Sequence, residues 1–298
     1  MITVIITTCK REPAIVKRAI NSIISQTYKE WELIVVDDSP EDFEQRSEVY
    51  QSVIAYSDKY NVKYIQNEKN SGACFSRNVG MNMAQGEYIA FLDDDDEWLP
   101  EKLEEQLKTL QKESDDTALV YGPYIVFNEI TKEKSINEIP ERNGMLYKEL
   151  LSHGNFVGGL SMPMMKTKCI KEIGGFDEEM PAVQDMDLWL RLSQLYRFKY
   201  MAKPYVVYHV HNGEQITSNP VKKIAGLERL MNKNRAMLEK NKTIHARYCR
   251  SLAMYHTRAG NKKNAYILLF KAIRLCPLEI GKNVRCFYGM ISDAITFH

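Results

Sequence analysis

The sequence is poor in cysteine, has no long apolar run and lacks the glycine-rich loops that bind phosphate. Its 298 residues include six cysteines, with no CxxC pair and no spacing typical of a metal site, which favours a reducing compartment. No charge-free apolar run approaches the roughly 18 residues of a membrane-spanning helix, and no basic leader follows Met1. Neither a GxxxxGK loop nor a GxGxxG motif follows the first strand, which argues against a P-loop ATPase and a Rossmann dehydrogenase. We therefore expect a cytoplasmic protein that does not cross a membrane.

The net charge of +1 conceals an uneven distribution of charge along the chain. Residues 221–298 hold 16 lysines and arginines against 4 acids, whereas residues 1–220 hold 24 against 35. The acidic part suits catalysis or cation binding, and the basic part suits an anionic partner such as a membrane surface. A solvated helical face without a partner explains the basic part equally well. We expect no nucleic-acid partner, and a homo-oligomer is compatible with both parts.

The first 130 residues alternate between strand-like and helix-like segments. Continuous apolar strands are predicted at Thr3–Thr8, Trp31–Val36, Val62–Gln66 and Tyr88–Leu92. Strands that are apolar on both faces are typical of a parallel sheet covered by helices on both sides. The predicted fold is therefore α/β, with a doubly wound, mostly parallel sheet in residues 1–220 and a helical extension in residues 221–298.

Acidic residues follow two of these strands. Asp37 and Asp38 follow the second strand, and five consecutive acids, residues 93–97, follow the fourth. Open α/β sheets bind ligands at the carboxyl ends of their strands, and Mg²⁺ or Mn²⁺ would offset the repulsion while binding the phosphates of a nucleotide. A solvated turn, or the acidic first turn of the helix that begins near Pro100, explains the run without a ligand. For Asp37 or Asp38 the corresponding alternative is a turn cap.

Seven short blocks, spread over about residues 1–215, carry a further pattern. They are Thr3–Thr8, Ser25–Tyr28, Glu32–Ser39, Asn70–Gly72 with Arg77–Asn78, Gly86–Asp96, Gly174–Glu178 and Gln184–Leu192. In this order the blocks resemble glycosyltransferase family 2, whose members have the GT-A fold. The resemblance implies an inverting, metal-dependent enzyme of bacterial surface-polysaccharide synthesis. Its expected donor is a nucleotide sugar, in particular a UDP-sugar, and its expected acceptor is a hydroxyl of a glycan or a lipid-linked glycan.

The resemblance also implies roles for single residues, with the nucleotide sugar bound by residues 1–100 and the acceptor by residues 101–220. Asp93 and Asp95 match the outer acids of the family's DxD motif, and Asp94 lies between them. In that motif the last acid holds Mn²⁺ or Mg²⁺ on the donor diphosphate, and the first lies near the ribose. Asp38 matches the acid that contacts uracil, and Thr7 lines the same pocket.

Four further positions carry expectations from the resemblance. Arg77 falls in the segment that closes over the nucleotide, and Cys9 stands where the family often has an aromatic residue that stacks on the base. His211 follows a predicted strand and is the expected second metal ligand. Asp185 matches the general base of the family's ED motif, although Gln184 replaces the usual glutamate before it. A helix N-terminus is the alternative role for Asp185.

Two other classes of protein stay open from the sequence. Gln184 and Cys9 would also suit a non-catalytic module that binds nucleotide sugars or glycans. A sugar-phosphate nucleotidyltransferase has a similar sheet, but it would be expected to have a glycine-rich basic loop after its first strand, and residues 10–13 contain no glycine.

The basic region contains one segment, residues 252–273, that resembles a single helix–turn–helix repeat of the tetratricopeptide kind. One such repeat cannot bury its own apolar face, so we expect it to pack on the catalytic domain or on another subunit. From Ile267 onward, apolar residues lie beside basic residues such as Lys271 and Arg274. This composition would suit a peripheral position on the inner face of the cell membrane, and an ordinary packing helix is the alternative.

Overall fold

The computed structural model describes residues 1–210 and 219–296, which form two compact units. The first unit comprises Met1–Leu150, Asn155–Glu178 and residues 188–210. The second comprises Leu151–Gly154, Glu179–Asp187 and residues 219–296. The second unit therefore includes two short segments from the acidic part of the chain.

The main sheet of the first unit has seven strands. They are β1 (Ile2–Thr8), β2 (Trp31–Asp37), β3 (Val62–Gln66), β4 (Tyr88–Asp93), β6 (Thr117–Tyr121), β9 (Met164–Lys166) and β10 (Arg197–Tyr200). Their order in the sheet is β10-β6-β9-β4-β1-β2-β3. All neighbouring strands are parallel except β9, which runs antiparallel between β4 and β6. The predicted mostly parallel sheet is confirmed.

Helices pack against both faces of this sheet. The helices up to residue 193 are α1 (Pro13–Ile24), α2 (Arg46–Ile54), α3 (Ala73–Met83), α4 (Lys102–Lys112), α5 (Tyr147–His153), α6 (Thr167–Glu172) and α7 (Gln184–Ser193). On one face of β1, Val4 shares a buried cluster with Val16 and Ile20 of α1. On the other face, a Cβ at Gly80 of α3 would lie 2.7 Å from Ile5 Cγ2. Glycine therefore lets α3 lie close to the strand.

A second sheet continues from the end of the acid run. Its strands are β5 (Glu97–Trp98), β7 (Tyr124–Asn128), β8 (Lys134–Asn137) and β11 (Val206–Val210), in the order β5-β11-β7-β8. The composition of Tyr121–Glu129 predicts a strand, and β7 lies within those bounds, whereas β6, which ends at Tyr121, was not predicted. The chain leaves β6 at Gly122, where a Cβ would lie 2.3 Å from Met201 O, and enters β7 in the other sheet after Pro123.

The second unit is helical, as its composition predicted. Its helices are α8 (Pro220–Lys233), α9 (Arg235–Lys240), α10 (Lys242–Arg258), α11 (Lys262–Leu275) and α12 (Ile280–Thr296). The side chain of Asn219 caps α8 by accepting from the N–H groups of Val221 and Lys222. Ala253 of α10, Leu269 of α11 and other buried residues of α10–α12 form one core. None of the helices in the two described segments has the length and apolar character needed to cross a bilayer.

Candidate active site

The acids predicted from the sequence lie at one edge of the main sheet. Thr8 of β1 lies opposite Asp37 of β2, and Thr7 lies opposite Asp93 of β4. Because these three strands are parallel, their carboxyl ends meet at the same edge, where open α/β sheets bind ligands. Thr7, Asp38 and Asp93 are therefore close in the fold although they are distant in sequence.

Asp38 is buried and holds the loop that connects β3 to α3. Its Oδ1 accepts hydrogen bonds from the side-chain amide of Asn67 at 2.7 Å and from the N–H of Ser71 at 2.8 Å. Its Oδ2 accepts from the N–H of Gly72 at 2.8 Å. Gly72 has φ +92°, a conformation that favours glycine. Asp38 thus shapes the loop beside the sheet edge, and its contact with uracil stays a prediction.

Asp37 has the capping role that the sequence analysis considered. Its Oδ1 accepts from the N–H of Ser39 at 2.8 Å, and its Oδ2 accepts from the hydroxyl of Tyr64 at 2.6 Å. Burial and this hydrogen bond to a carboxylate raise the pKa of Tyr64 far above its usual value. Asp37 is fully buried, so its role is structural.

Cys9 lies on the surface next to the loop that Asp38 holds. The amide of Asn70 donates to Cys9 Sγ at 3.1 Å, and the thiol donates to the carbonyl oxygen of Asp38 at 3.4 Å. Desolvation and the nearby charges of Asp38 and Asp37 raise the pKa of the Cys9 thiol. The thiol therefore stays neutral and presents a small group where the family often has a ring.

The acid run after β4 alternates between accessible and buried carboxylates. The side chains of Asp93 and Asp95 are 35% and 21% exposed, whereas the side chain of Asp94 is 7% exposed and Asp96 is buried. Burial raises the pKa of Asp94 to about 6 despite the attraction of Arg11. Burial, together with the charges of Asp93 and Asp95, raises the pKa of Asp96 well above its usual value. A simple solvated turn therefore does not describe this run.

Two arginines pair with the aspartates of the acid run, while Arg18 pairs with Glu97 at 3.6 Å. Arg11, in the loop between β1 and α1, donates from Nε to Asp94 Oδ1 at 3.0 Å and from Nη2 to Asp95 Oδ2 at 3.0 Å. Arg77 of α3 donates from Nη2 to Asp93 Oδ1 at 3.3 Å. The structure thus brings Arg77 to the predicted site. Arg11 was not predicted from the sequence, although its place just after the first strand is a signal that could have found it.

Ser161 fixes the backbone of the acid run and was also missed. Its hydroxyl accepts from the N–H of Asp93 at 3.0 Å and donates to Asp96 Oδ2 at 2.6 Å. The N–H of His209 donates to Asp96 Oδ1 at 3.3 Å, and the indole N–H of Trp98 donates to the carbonyl oxygen of Ser161 at 2.9 Å. These bonds tie the end of β4 to β5 and β11. A serine in a turn-rich segment gives no sequence signal for such a role.

A cluster of charged side chains supports the acid run from the side of the second sheet. The ring nitrogens of His209 lie 2.9 Å from Glu129 Oε1 and 2.7 Å from Glu97 Oε1. Arg18 of α1 donates to Glu129 at 2.8 Å and to the carbonyl oxygen of Asp95 at 2.6 Å. The contact with His209 and the charge of Arg18 lower the pKa of Glu97, and the hydrogen bond from Arg18 and the contact with His209 lower the pKa of Glu129. These contacts give His209 a structural role.

Asp185 is the second residue of helix α7 and belongs to the second unit. Its Oδ1 accepts from the N–H of Met186 at 2.7 Å, and Gln184 donates from Nε2 to Met180 O at 3.1 Å. Asp187 also lies in the first turn of α7. It is buried, and its Oδ1 forms an ion pair with Lys233 Nζ at 2.5 Å. Asp187 therefore has a structural partner in α8.

The fold is that of the GT-A glycosyltransferases. Residues 1–349 of Staphylococcus aureus TarS, in a crystal structure with UDP-GlcNAc, match it with a TM-score of 0.66 at 18% identity. The match covers 99% of this chain and 89% of that one. The fold class expected from the sequence is therefore confirmed.

The sequence comparisons identify the family. The model of Glycosyl transferase family 2 matches residues 3–174. The colanic acid biosynthesis glycosyl transferase WcaA of Escherichia coli K12 is 34% identical over 217 residues, which is 70% of this chain and 72% of that protein. The chain therefore belongs to glycosyltransferase family 2.

A further relative is named for its reaction. The UDP-Glc:α-D-GlcNAc-diphosphoundecaprenol β-1,3-glucosyltransferase WfgD of Escherichia coli is 29% identical over 177 residues, which is 59% of this chain and 64% of WfgD. Among the relatives compared, the chain spans from 25% to 73% of their length. Family membership decides between the classes left open by the sequence, because it identifies a glycosyltransferase enzyme.

Proposed function

We propose that the enzyme moves a sugar, with inversion, from a UDP-sugar to a hydroxyl of a lipid-linked glycan in the synthesis of a bacterial surface polysaccharide. The observation that carries this proposal is the pair of accessible carboxylates, Asp93 and Asp95, beside the loop held by Asp38. Support for the donor comes from the UDP-GlcNAc bound to TarS and from the UDP-Glc in the name of WfgD. Support for the acceptor and the pathway comes from the names of WfgD and WcaA.

The donor atoms at the sheet edge fit a hard divalent cation. Mg²⁺, like Mn²⁺, prefers oxygen ligands, and Mg²⁺ is usually held by one or two carboxylates with water and phosphate oxygens. Asp95 would hold the cation, and Asp93 would lie toward the ribose; His211, the other expected ligand, lies outside the described residues. Within residues 1–210 and 219–296, no three acids, histidines or cysteines gather around one point, which suits a cation that depends on the diphosphate for its remaining ligands. When bound, the cation would neutralise negative charge on the departing nucleoside diphosphate.

The chemistry of the transfer requires one base from the protein. We assign this role to Asp185, which would take the proton from the acceptor hydroxyl as its oxygen attacks the anomeric carbon. The neighbouring Gln184 carries no charge, so it does not compete with Asp185 for a proton. We also assign the enzyme to the inner face of the cell membrane, where a lipid-linked acceptor is accessible.

The donor and the metal are tested together by thermal unfolding. A ligand that binds only the folded protein raises its melting temperature. We expect a rise with UDP-sugars in the presence of Mn²⁺, and a much smaller rise with the same sugars in EDTA or with GDP-sugars. An equal rise with and without Mn²⁺ would contradict the metal requirement, and a rise with GDP-sugars alone would contradict the donor class.

A further inference from the structure

Helices α11 and α12 each carry a second apolar stripe that the protein does not cover. In α11 the exposed stripe consists of Tyr266, Ile267, Phe270 and Ile273. In α12 it consists of Ile280, Val284, Phe287, Tyr288 and Ile291, and Leu278 in the intervening turn is 93% exposed. These positions follow the spacing of one helix face. Exposed apolar patches of this extent mark interaction sites in soluble proteins.

The exposed stripes are not needed for the internal packing of the unit. The buried positions of α11 are Ala265, Leu269 and Ala272, which also follow helical spacing but lie on another face. Cys286 and Met290 of α12 lie in the same core as Ala265 and Leu269. Each helix therefore has an inner face that is used and an outer face that is free to bind a partner.

The charge of the same two helices restricts the partner. Among the side chains that the structure describes in residues 262–292, the exposed charged ones are all basic, namely Lys262, Lys263, Lys271, Arg274, Lys282 and Arg285. Glu279, in the turn between the helices, is paired with Arg250 at 2.8 Å and with Lys282. Over the described side chains of residues 262–292, no acidic side chain is fully exposed. The described surface thus combines large apolar side chains with an excess of positive charge.

We propose that the outer faces of α11 and α12 form a docking surface for a bilayer that contains anionic phospholipid. Basic side chains beside a large apolar face are typical of helices that lie in the membrane interface, where the apolar side chains enter the headgroup region. A second copy of the chain fits less well, because a symmetric dimer through this face would bring like charges together. The helices lie on the bilayer and do not cross it. The proposal deepens the membrane location proposed above and is independent of the sugar chemistry.

Flotation of the intact chain with lipid vesicles tests this surface. We expect the protein to float with vesicles containing phosphatidylglycerol and not with pure phosphatidylcholine. The double variant Lys271→Gln and Arg274→Gln should bind anionic vesicles about 25-fold more weakly, since each basic residue near such a surface contributes about fivefold. The double variant Phe270→Ser and Tyr288→Ser should also lose most of its binding, because it lacks the apolar side chains that enter the interface.

Matched variants in the first unit control for general loss of charge or apolar surface. Lys59→Gln with Lys112→Gln removes two exposed lysines, and Leu195→Ser removes an exposed leucine. These variants should bind vesicles as the wild type does. All variants should keep the wild-type melting temperature, since the altered side chains are exposed.

Three results would overturn the docking surface. They are no flotation of the wild type with anionic vesicles, equal losses in the control variants, and a concentration-dependent dimer that is abolished by Phe270→Ser with Tyr288→Ser. Transfer to a soluble acceptor without vesicle binding would leave the proposed reaction intact and remove the docking surface. Vesicle binding without any transfer would support the docking surface and contradict the proposed reaction.

Discussion

At the scale of single residues, burial separates the acids that shape the site from those that can meet a ligand. Asp37 and Asp96 are enclosed and accept hydrogen bonds from fixed donors. Asp93 and Asp95 keep part of their carboxylates accessible. Because accessible and buried carboxylates alternate along the acid run, neighbouring aspartates have different roles.

Asp95→Ala removes the carboxylate assigned to the cation. We expect the variant to fold, because this side chain is partly exposed, and to lose the rise in melting temperature that a UDP-sugar gives with Mn²⁺. The control Asp42→Ala removes an exposed acid outside the site and should behave as the wild type. Normal turnover of Asp95→Ala would exclude the assigned role.

Asp185→Asn tests the base separately from the donor site. Donor binding should persist, whereas kcat should fall by roughly 10²–10⁴, the usual contribution of a general base. Asp187→Asn provides the comparison, because it breaks the buried pair with Lys233 and should lower the melting temperature while most of kcat is kept. The assignment of the base fails if the two variants have the same kcat.

Lys102 offers a test by pH, because it is fully buried without an acidic partner among its described contacts. Its Nζ donates to Gln106 Oε1 at 2.7 Å and lies 4.0 Å from the ring centre of Trp98. Burial lowers the pKa of Lys102 well below its usual value. The unfolded chain then binds a proton that the folded protein lacks, so this residue makes stability rise with pH up to about 10, by at most about 1.4 kcal/mol per pH unit.

The variant Lys102→Met removes this contribution. Urea unfolding at neutral and at alkaline pH should show that the free energy of unfolding shifts in favour of the wild type, relative to the variant, as pH rises. Parallel pH profiles for the two proteins would show that the amine stays charged in the folded state.

At the scale of elements, prediction from sequence succeeded where a segment is buried on both sides. β1, β2 and β4 were predicted because most of their residues are apolar and buried. β3 is only partly buried and was predicted from its apolar residues Val62, Tyr64 and Ile65. The acids at the strand ends were predicted as a site because parallel strands share an edge. The break at Gly122 was missed because strand-like residues lie on both sides of it, although Gly122-Pro123 is a turn signal. Arg11 and Ser161 were missed because their roles depend on partners 83 and 65 residues away, Asp94 and Asp96.

Ser161→Ala tests the junction between the end of β4 and the second sheet. The change leaves the N–H of Asp93 and one buried oxygen of Asp96 without their partner, which should cost about 1–3 kcal/mol of stability. Because the backbone of Asp93 is released, we expect a higher Kd for the UDP-sugar as well. Ser193→Ala removes a buried hydroxyl that bonds only within α7, at 3.2 Å from Leu190 O, and should leave the donor Kd unchanged. Equal donor Kd values for the two variants would exclude the positioning role.

At the scale of the whole molecule, opposite charges belong to parts of the chain with different proposed partners. The acidic part contains the sheet edge, where arginines and the proposed cation offset the aspartates. The basic part contains α11 and α12 with their exposed lysines and arginines. Screening by salt should therefore affect the proposed membrane contact more than the enclosed ion pairs, since exposed charges are screened most.

This difference predicts how transfer responds to salt. The Debye length falls from about 10 Å at ~0.1 M salt to about 3 Å at ~1 M. Transfer to a lipid-linked acceptor in anionic vesicles should decrease strongly over this range, whereas transfer to a short soluble analogue of the acceptor should decrease little. Both rates are measured with one enzyme preparation and one donor, so a loss of folding would lower both equally. A proportional decrease of the two rates would mean that salt acts on the catalytic part, and that the basic helices contribute nothing to the encounter with the acceptor.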